Sequence, residues 1–368
     1  MFRILFFLLL FFVTIVSSGG YWIYTYHLTA PLPLYEDLRY VVEPNATLRK
    51  VAIDLMDKEL INYPVALAWV SLARFQKRAH LIKVGEYLIP KGATPQQMLD
   101  ILILGKTIQH TLTIPEGWNF RQMMAAVRKH PQIVQTLDEI SNVAPITKKL
   151  NCPKEEAIIM AKLNWPNQCP EGRFYPDTYH FPTNTTDVAF LQRSYRMMEI
   201  ELKTSWEKRS DNLPLKNAYE ALILASIIEK ETGVVEEQDQ IAGVFVRRLK
   251  KNMRLQSDPT VIYALGETYD GNIKKRDLRA KKPHNTYVNK GLPPTPIAMP
   301  GRAALHATLH PAKGDALFFV AKGGGSHHFS ATNKEHECAV IEYLLKNKVP
   351  RRYRTQCRKY PMCAACRD

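Results

Sequence analysis

Apolar character runs from Ile4 to Val16, and only small, hydroxyl-bearing or aromatic residues follow as far as Tyr26. A membrane-spanning helix needs about 20 such residues, and Tyr21, Trp22, Tyr24 and Tyr26 suit an aromatic belt at the far face. The rival reading is a cleaved signal peptide, with the small residues at 17–20 offered to the peptidase. Either one sends the chain beyond about residue 28 across a membrane. Arg3 and the N-terminal amine keep the N-terminus of an anchor cytoplasmic.

After a proline-bearing spacer (28–40) the pattern turns periodic. Leu48, Val51, Ala52 and Leu55 recur at i, i+3, i+4 and i+7, which predicts one helix face. "PVALAWVSLARFQK" predicts a second helix with Pro64 in its first turn, and "HLIKVGEYLIPKG" reads as strand about a turn at Gly85. "TPQQMLDILILGK" predicts a third helix, with Thr94 as N-cap, Pro95 first and Gly105 as stop. Short helices against a small sheet suit a module over 41–108.

Residues 109–214 read as a connecting α/β region: an alternating strand, a turn at Pro115-Glu116-Gly117, a helix, and a polar helix from about Asp187 to Arg209 with Thr186 as N-cap. Over 215–348 "ALILASIIEKE" predicts a helix, "EEQDQIAGVFVRRLKKNM" another, and Pro259 opens a third, with Asp258 before it placed like an N-cap. "KKPHNTYVNKGLPPTPIAMPG" is too rich in Pro, Gly and Asn to be regular, and a loop that long is usually functional or disordered. "DALFFVAKGGGSHHFS" reads as a buried strand, a glycine turn and a return strand.

The carboxylates of "EKET" (229–232) interrupt that greasy helix at its end. At about 100° per residue, Glu231 falls within the arc of Ile223, Leu224, Ile227 and Ile228, whereas Glu229 points the other way. A carboxyl held against apolar groups loses hydration and keeps its proton near neutrality, as a general acid on a glycosidic oxygen must. A helix end in solvent is the plainer alternative for Glu231, since Gly233 follows at once; for Glu229 it is pairing with an Arg or capping.

Composition changes this picture in two ways. A net charge of +15 invites a nucleic-acid reading, but export and the scatter of Lys and Arg favour headgroups or wall-polymer carboxylates, so no nucleic acid is expected. Six cysteines agree with an oxidising compartment. Cys152 and Cys169 bracket a segment that a disulfide could staple. Cys363 and Cys366 have half the spacing of a zinc site without a second half, in a basic tail (349–368), and no metal or cofactor is expected.

"ASIIEKET", "RLQSDPTVIYALG", "NTYVNKGLPPTPIAMPG", "HPA" before "LFFVA" and "EGRFYPDTYHF", with "IPEGWNF" and "VGEYLIPKGAT" less specifically, keep one order along the chain. In these stretches it resembles the endolytic murein (peptidoglycan) lytic transglycosylase family, MltG-like or YceG-like. The resemblance implies an α+β fold with one N-terminal transmembrane helix (1–27), a small LysM-like module and a mixed α+β catalytic domain. It implies an inner-membrane, single-pass protein with its catalytic part periplasmic. The implied reaction cleaves the bond between N-acetylmuramic acid and N-acetylglucosamine inside nascent strands without water, leaving 1,6-anhydro ends and so limiting strand length. Glu231 falls on the family's essential acid. Gln256, Asp258, Tyr263, Asn285, Thr286 and Tyr287 fall on its substrate-facing loops, with Glu229 alongside. Each has a structural alternative, as do Glu171 and Asp177, which read as an acidic pair near the cleft or as turn formers. Peptidoglycan strands are the expected partner and peptidoglycan synthases the candidate protein partners. A hydrolytic muramidase and a non-catalytic wall-binding scaffold are the competing readings. His284 and the tail depart from the family pattern.

Overall fold

In the computed structural model the described residues are 11, 12, 14, 15, 18–22, 28–140 and 149–344. Most of the 1–27 anchor reading and all of the basic tail lie outside them; among the described residues no helix is long and apolar enough to cross a membrane. The architecture is mixed α+β, with short helices and two-stranded sheets. The chain divides into two compact units, one running to Thr111 and including His180–Thr185, the other comprising Leu112–Tyr179 and Thr186 onward.

In the first unit β1 (Leu38–Val42), α1 (Leu48–Asp57), α2 (Tyr63–Phe75), β2 (Gly85–Ile89) and α3 (Pro95–Leu104) follow in order. β1 and β2 pair antiparallel, with Leu38 opposite Ile89 and Val42 opposite Gly85. The periodic face of α1 is the buried one, Leu48, Val51, Ala52 and Leu55. It joins Trp69, Tyr87, Met98, Leu99 and Leu102 in one core. Thr94 and Gln97 close a capping box at the start of α3, and Gly105 ends it at φ 70°, where a side chain would be strained. Residues 80–84, read as strand, are irregular; only the part after Gly85 pairs.

The second unit is built around one helix. In order come α4 (Phe120–Lys129), α5 (Lys154–Lys162), α6 (Asp187–Glu207), α7 (Ala218–Glu231), α8 (Val235–Lys250), α9 (Asp258–Leu265), α10 (Lys275–Leu278) and α11 (Arg302–Leu309). A hairpin of β3 (Phe318–Gly323) and β4 (Ser326–Ser330) follows, then α12 (Asn333–Ala339). Thr186 caps α6 as expected, its hydroxyl accepting from Ala189 N–H at 3.1 Å. The stretches 112–179 and 186–214, read as connecting, belong to the same compact unit as 215–344. Val320 alone is buried on β3, so that strand is half-buried rather than a core strand.

α7 differs from its predicted form. All eight residues from Ala221 to Ile228 are buried, so there is no solvent face and no single apolar arc. The cause is its neighbours: α6, α8, α9 and α11 all pack on it. Ala221 and Ala225 share one buried core with Ala304 and Leu305 of α11. A central helix emerges from such a core only at its ends. Its C-terminal end is where Glu229, Lys230 and Glu231 stand.

Candidate active site

Glu231, half-buried, is the last residue of α7. Its Oε1 accepts a hydrogen bond from Ser257 Oγ at 2.5 Å. Burial pushes its carboxyl up to about 7; the Ser257 hydroxyl opposes this, the Asp258 charge adds to it and Arg248 opposes it. Ser257 stands at the N-cap of α9 and Asp258 takes the first helical position, so the expected cap falls one residue earlier than the sequence pattern placed it.

Two segments fix Ser257. Thr286, buried, accepts Ser257 N–H on Oγ1 at 3.0 Å, shares a 2.9 Å contact with Thr260 Oγ1 and offers its carbonyl to Gln256 N–H at 3.2 Å. Arg248, buried near the end of α8, donates to Leu255 O at 2.6 Å and to Leu317 O at 2.6 Å. Its Nη1 also lies 3.5 Å from Gln256 Oε1. Gln256 is exposed and adopts φ 54°, a left-handed conformation uncommon outside glycine and asparagine. Asp258, exposed, accepts Tyr287 Oη–H on Oδ1 at 2.6 Å. Burial, with the Asp258 bond, raises the Tyr287 hydroxyl well above its ordinary range, so Tyr287 stays a donor.

Of the expected residues, the structure therefore gathers Glu231, Gln256, Asp258, Thr286 and Tyr287 about the start of α9. Asn285 is buried beneath the loop: Nδ2 donates to the carbonyls of Asp277, Leu278 and Ala280 at 2.8–3.2 Å, and Oδ1 accepts Tyr287 N–H at 2.9 Å. Carbonyls at and just after the end of α10 occupy its NH₂ group. Glu229 turns to another segment, accepting Gly301 N–H on Oε2 at 3.0 Å, and burial raises its carboxyl too. A Cβ at position 301 would lie 1.8 Å from Glu116 Oε1, so only glycine lets both carboxyls approach there. The "IPEGW" and "IAMPG" motifs meet here through Gly117 N–H to Met299 O at 2.8 Å and Met299 N–H to Trp118 O at 2.7 Å.

Tyr263 belongs to a neighbouring cleft of about 580 Å³. Its hydroxyl donates to Glu171 Oε2 at 3.1 Å, and Phe120 N–H donates to Glu171 Oε1 at 3.0 Å. The expected acidic pair is split: Glu171 is buried on this cleft, whereas Asp177 is exposed and bonds Thr178 N–H. The cleft reaches Lys230 and Pro259, the neighbours of Glu231 and Asp258, but Glu231 does not line it. Cys152, on the cleft wall, is disulfide-bonded to Cys169, with Cα atoms 5.7 Å apart.

Ser257 and Arg248 are absent from the residues the sequence pointed to. Arg248 had a signal, because it continues the buried phase of Ile241, Val244 and Phe245 at i, i+3, i+4 and i+7. A guanidinium on an apolar face must find acceptors. Ser257 had none.

These features define a class: an α+β protein whose central helix delivers one carboxylic acid, kept near its neutral form, to a polar loop cluster. Residues 40–342 match the model of the YceG-like family, and the chain belongs to that family. It is 32% identical over 277 residues, 73% of this chain and 75% of the relative, to the endolytic murein transglycosylase of Bacillus subtilis (strain 168). It is 27% identical over 362 residues to that of Streptococcus pneumoniae serotype 2 (strain D39), covering 90% of this chain but only 64% of that protein's length. A crystal structure of a YceG-like protein from Listeria monocytogenes aligns with a TM-score of 0.47 at 25% identity, over 82% of this chain and 98% of that one.

Proposed function

We propose that this chain is an endolytic murein transglycosylase and that Glu231 is its acid and base in turn. The observation that carries the reading is a carboxyl raised to about 7, hydrogen-bonded to Ser257 and not salt-bridged, at the end of a buried helix. In its neutral form Glu231 gives its proton to the glycosidic oxygen as the C1–O bond of N-acetylmuramic acid breaks. The carboxylate so formed takes the proton from the same sugar's C6 hydroxyl, whose oxygen bonds to C1 and closes the 1,6-anhydro ring. The tethered nucleophile lets one carboxyl suffice, since effective molarities for such closures reach about 10⁵ M or more. Around it, Gln256, Asp258 and Tyr287 contact the sugars flanking the bond, while Thr286, Asn285 and Glu229 hold the frame.

The same reading extends to the rest of the chain. The short helices α1 and α2, set between the two strands of one antiparallel sheet, support a LysM-like glycan-binding module over 41–108. The apolar run before residue 28 supports a single-pass anchor in a bacterial inner membrane, with residues 215–348 acting in the periplasm on nascent strands beside their synthases.

A hydrolytic muramidase is favoured by one observation: Asp258 is a second carboxylate next to the acid's partner Ser257, and two carboxyls are what water-using glycosidases need. Mass spectrometry of purified glycan strands after digestion decides. Ends lighter by one water, lost with Glu231→Gln, are expected; reducing ends would replace the lytic mechanism by hydrolysis. Unchanged digestion by Glu231→Gln would remove Glu231 as the acid.

A further inference from the structure

The mechanism leaves unused one buried titratable side chain beside an open cavity, and that side chain is Glu171. It is 4% exposed, lies on the wall of the cleft of about 580 Å³, and has both oxygens engaged, by Phe120 N–H and Tyr263 Oη–H. That volume falls within the roughly 300–1,000 Å³ of small-molecule sites. Among the described residues no cation forms an ion pair with Glu171. Arg121, at the rim, is ion-paired with Glu267, and Lys230 donates to Gly117 O at 3.2 Å.

Glu156 adds a second carboxyl to the wall, itself raised by burial, and the remaining lining is uncharged and rich in hydrogen-bonding groups. Asn119 and Gln122 use only their side-chain oxygens in the box that caps α4, which leaves their NH₂ groups as donors. His284 bonds Thr295 Oγ1 at 2.7 Å and is held neutral by burial, its pKa lowered to about 4. Tyr263 packs on His284 with ring centroids 4.9 Å apart and gives the cleft an aromatic wall. Burial raises Glu171 to about 8, against the pull of Phe120 N–H and Tyr263 Oη–H and with a smaller push from the Glu156 carboxyl, so at neutral pH it too is uncharged. Planar amides, neutral hydroxyl partners and an aromatic wall suit a hydroxyl- and acetamido-bearing sugar. The charged groups on the lining are otherwise engaged or raised, Arg121 with Glu267, Lys230 on Gly117 O and Glu156 by burial, so the neutral groups set the match.

α9 links this cleft to the reacting acid. Its N-cap Ser257 holds Glu231, and Tyr263, six residues on and so about 9 Å along the axis, holds Glu171. We propose that the cleft is a second glycan subsite, in which Glu171 and Tyr263 together read an uncharged N-acetylated amino sugar next to the bond at Glu231. This rests on the glycan-cleaving reading and names how the strand is gripped away from the bond. Glu171 is a positioning residue here, acting through Tyr263.

The test titrates the soluble tetramer of N-acetylglucosamine into the full chain carrying Glu231→Gln, read by calorimetry. In that background Tyr263→Phe, which keeps the ring on His284, loses one hydrogen bond and should bind about 3- to 10-fold more weakly. Glu171→Ala should lose at least as much, while Glu171→Gln, uncharged and of like shape, should stay within about twofold. Affinity of the Glu231→Gln parent should fall as pH rises past about 8, and that fall should vanish with Glu171→Gln. Should thermal melting show that Glu171→Ala does not fold, Tyr263→Phe and the pH series decide. Unchanged affinity in Tyr263→Phe with no pH dependence overturns the subsite, as does tighter binding of a free lysine-bearing stem peptide than of the tetramer. Neither result touches Glu231, whose role is read separately from strand digestion, so the two readings fail apart.

Discussion

Glu229 and Glu231 stand two residues apart on α7, and the two sides of the helix end treat them differently. On the Glu229 side a backbone N–H from Gly301 meets the carboxyl and Glu116 crowds the same glycine. On the Glu231 side the partner is a side-chain hydroxyl, Ser257, on a helix N-cap beside the polar loop. Burial raises both carboxyls, so the direction of the shift does not separate them. What separates them is the partner. A main-chain N–H is fixed by the fold and holds its acceptor in place, whereas a hydroxyl can turn to follow an oxygen that gains and loses a proton. A shifted acid becomes a reaction centre only where its partner tolerates both states.

The largest effect that would break this contrast is on turnover. Glu231→Gln removes a general acid, a role worth about 10²–10⁴-fold, and strand cleavage should fall by that much. Glu229→Gln keeps a side-chain oxygen to accept Gly301 N–H and should cost less than about tenfold. Initial rates of strand digestion, with thermal melting to confirm folding, measure both. Equal losses in the two variants would show that the helix end acts as one structural unit.

A smaller effect sharpens the contrast. The Ser257 hydroxyl favours the ionised form of Glu231, so Ser257→Ala should raise the acid's pKa further. Wild-type kcat/KM should fall as pH rises above about 7, because the proton donor is then ionised. In Ser257→Ala that descending limb should move to higher pH, while kcat drops about tenfold from poorer positioning. A limb that stays put would mean that another group sets it.

Much of this could be read from residue pattern, and what could not has a physical reason. Local rules placed the Thr94 and Thr186 caps and the inner face of α1, because each depends on neighbours within a turn. Glu231 was singled out by phase on α7, yet α7 is buried all round, so phase could not distinguish two acids that both leave the core at its end. Ser257 comes from 26 residues away, and no local rule shows that its hydroxyl reaches Glu231. Glu171 looked like part of a turn because the Phe120 and Tyr263 that bury it lie 51 and 92 residues distant. Asn285 matched a substrate-facing motif, but its amide is bound to carbonyls at the end of α10.

The smallest effect is on stability, and its sign follows from the proton. Unfolded, a glutamate titrates near 4.3; folded, Glu231 titrates at about 7. Between those values the folded state holds a proton that the unfolded chain has released, so this group's contribution to stability falls as pH rises and is constant above about 7. Glutamine has no such slope. The melting temperature of Glu231→Gln relative to wild type should therefore show little pH-dependent gain near pH 4, rise toward pH 7 and level off, by an amount on the order of 1 kcal/mol once partial exposure is allowed for. That corresponds to about 2–4 °C for a unit of this size. Glu229→Gln should gain in the same direction, offset by the weaker bond that an amide oxygen makes to Gly301 N–H. Other titrating groups cancel in each difference, so melts at matched ionic strength suffice. A Glu231→Gln difference that ignores pH would mean that the carboxyl sits in ordinary solvent, and the contrast between the two sides of the helix end would then lose its electrostatic basis.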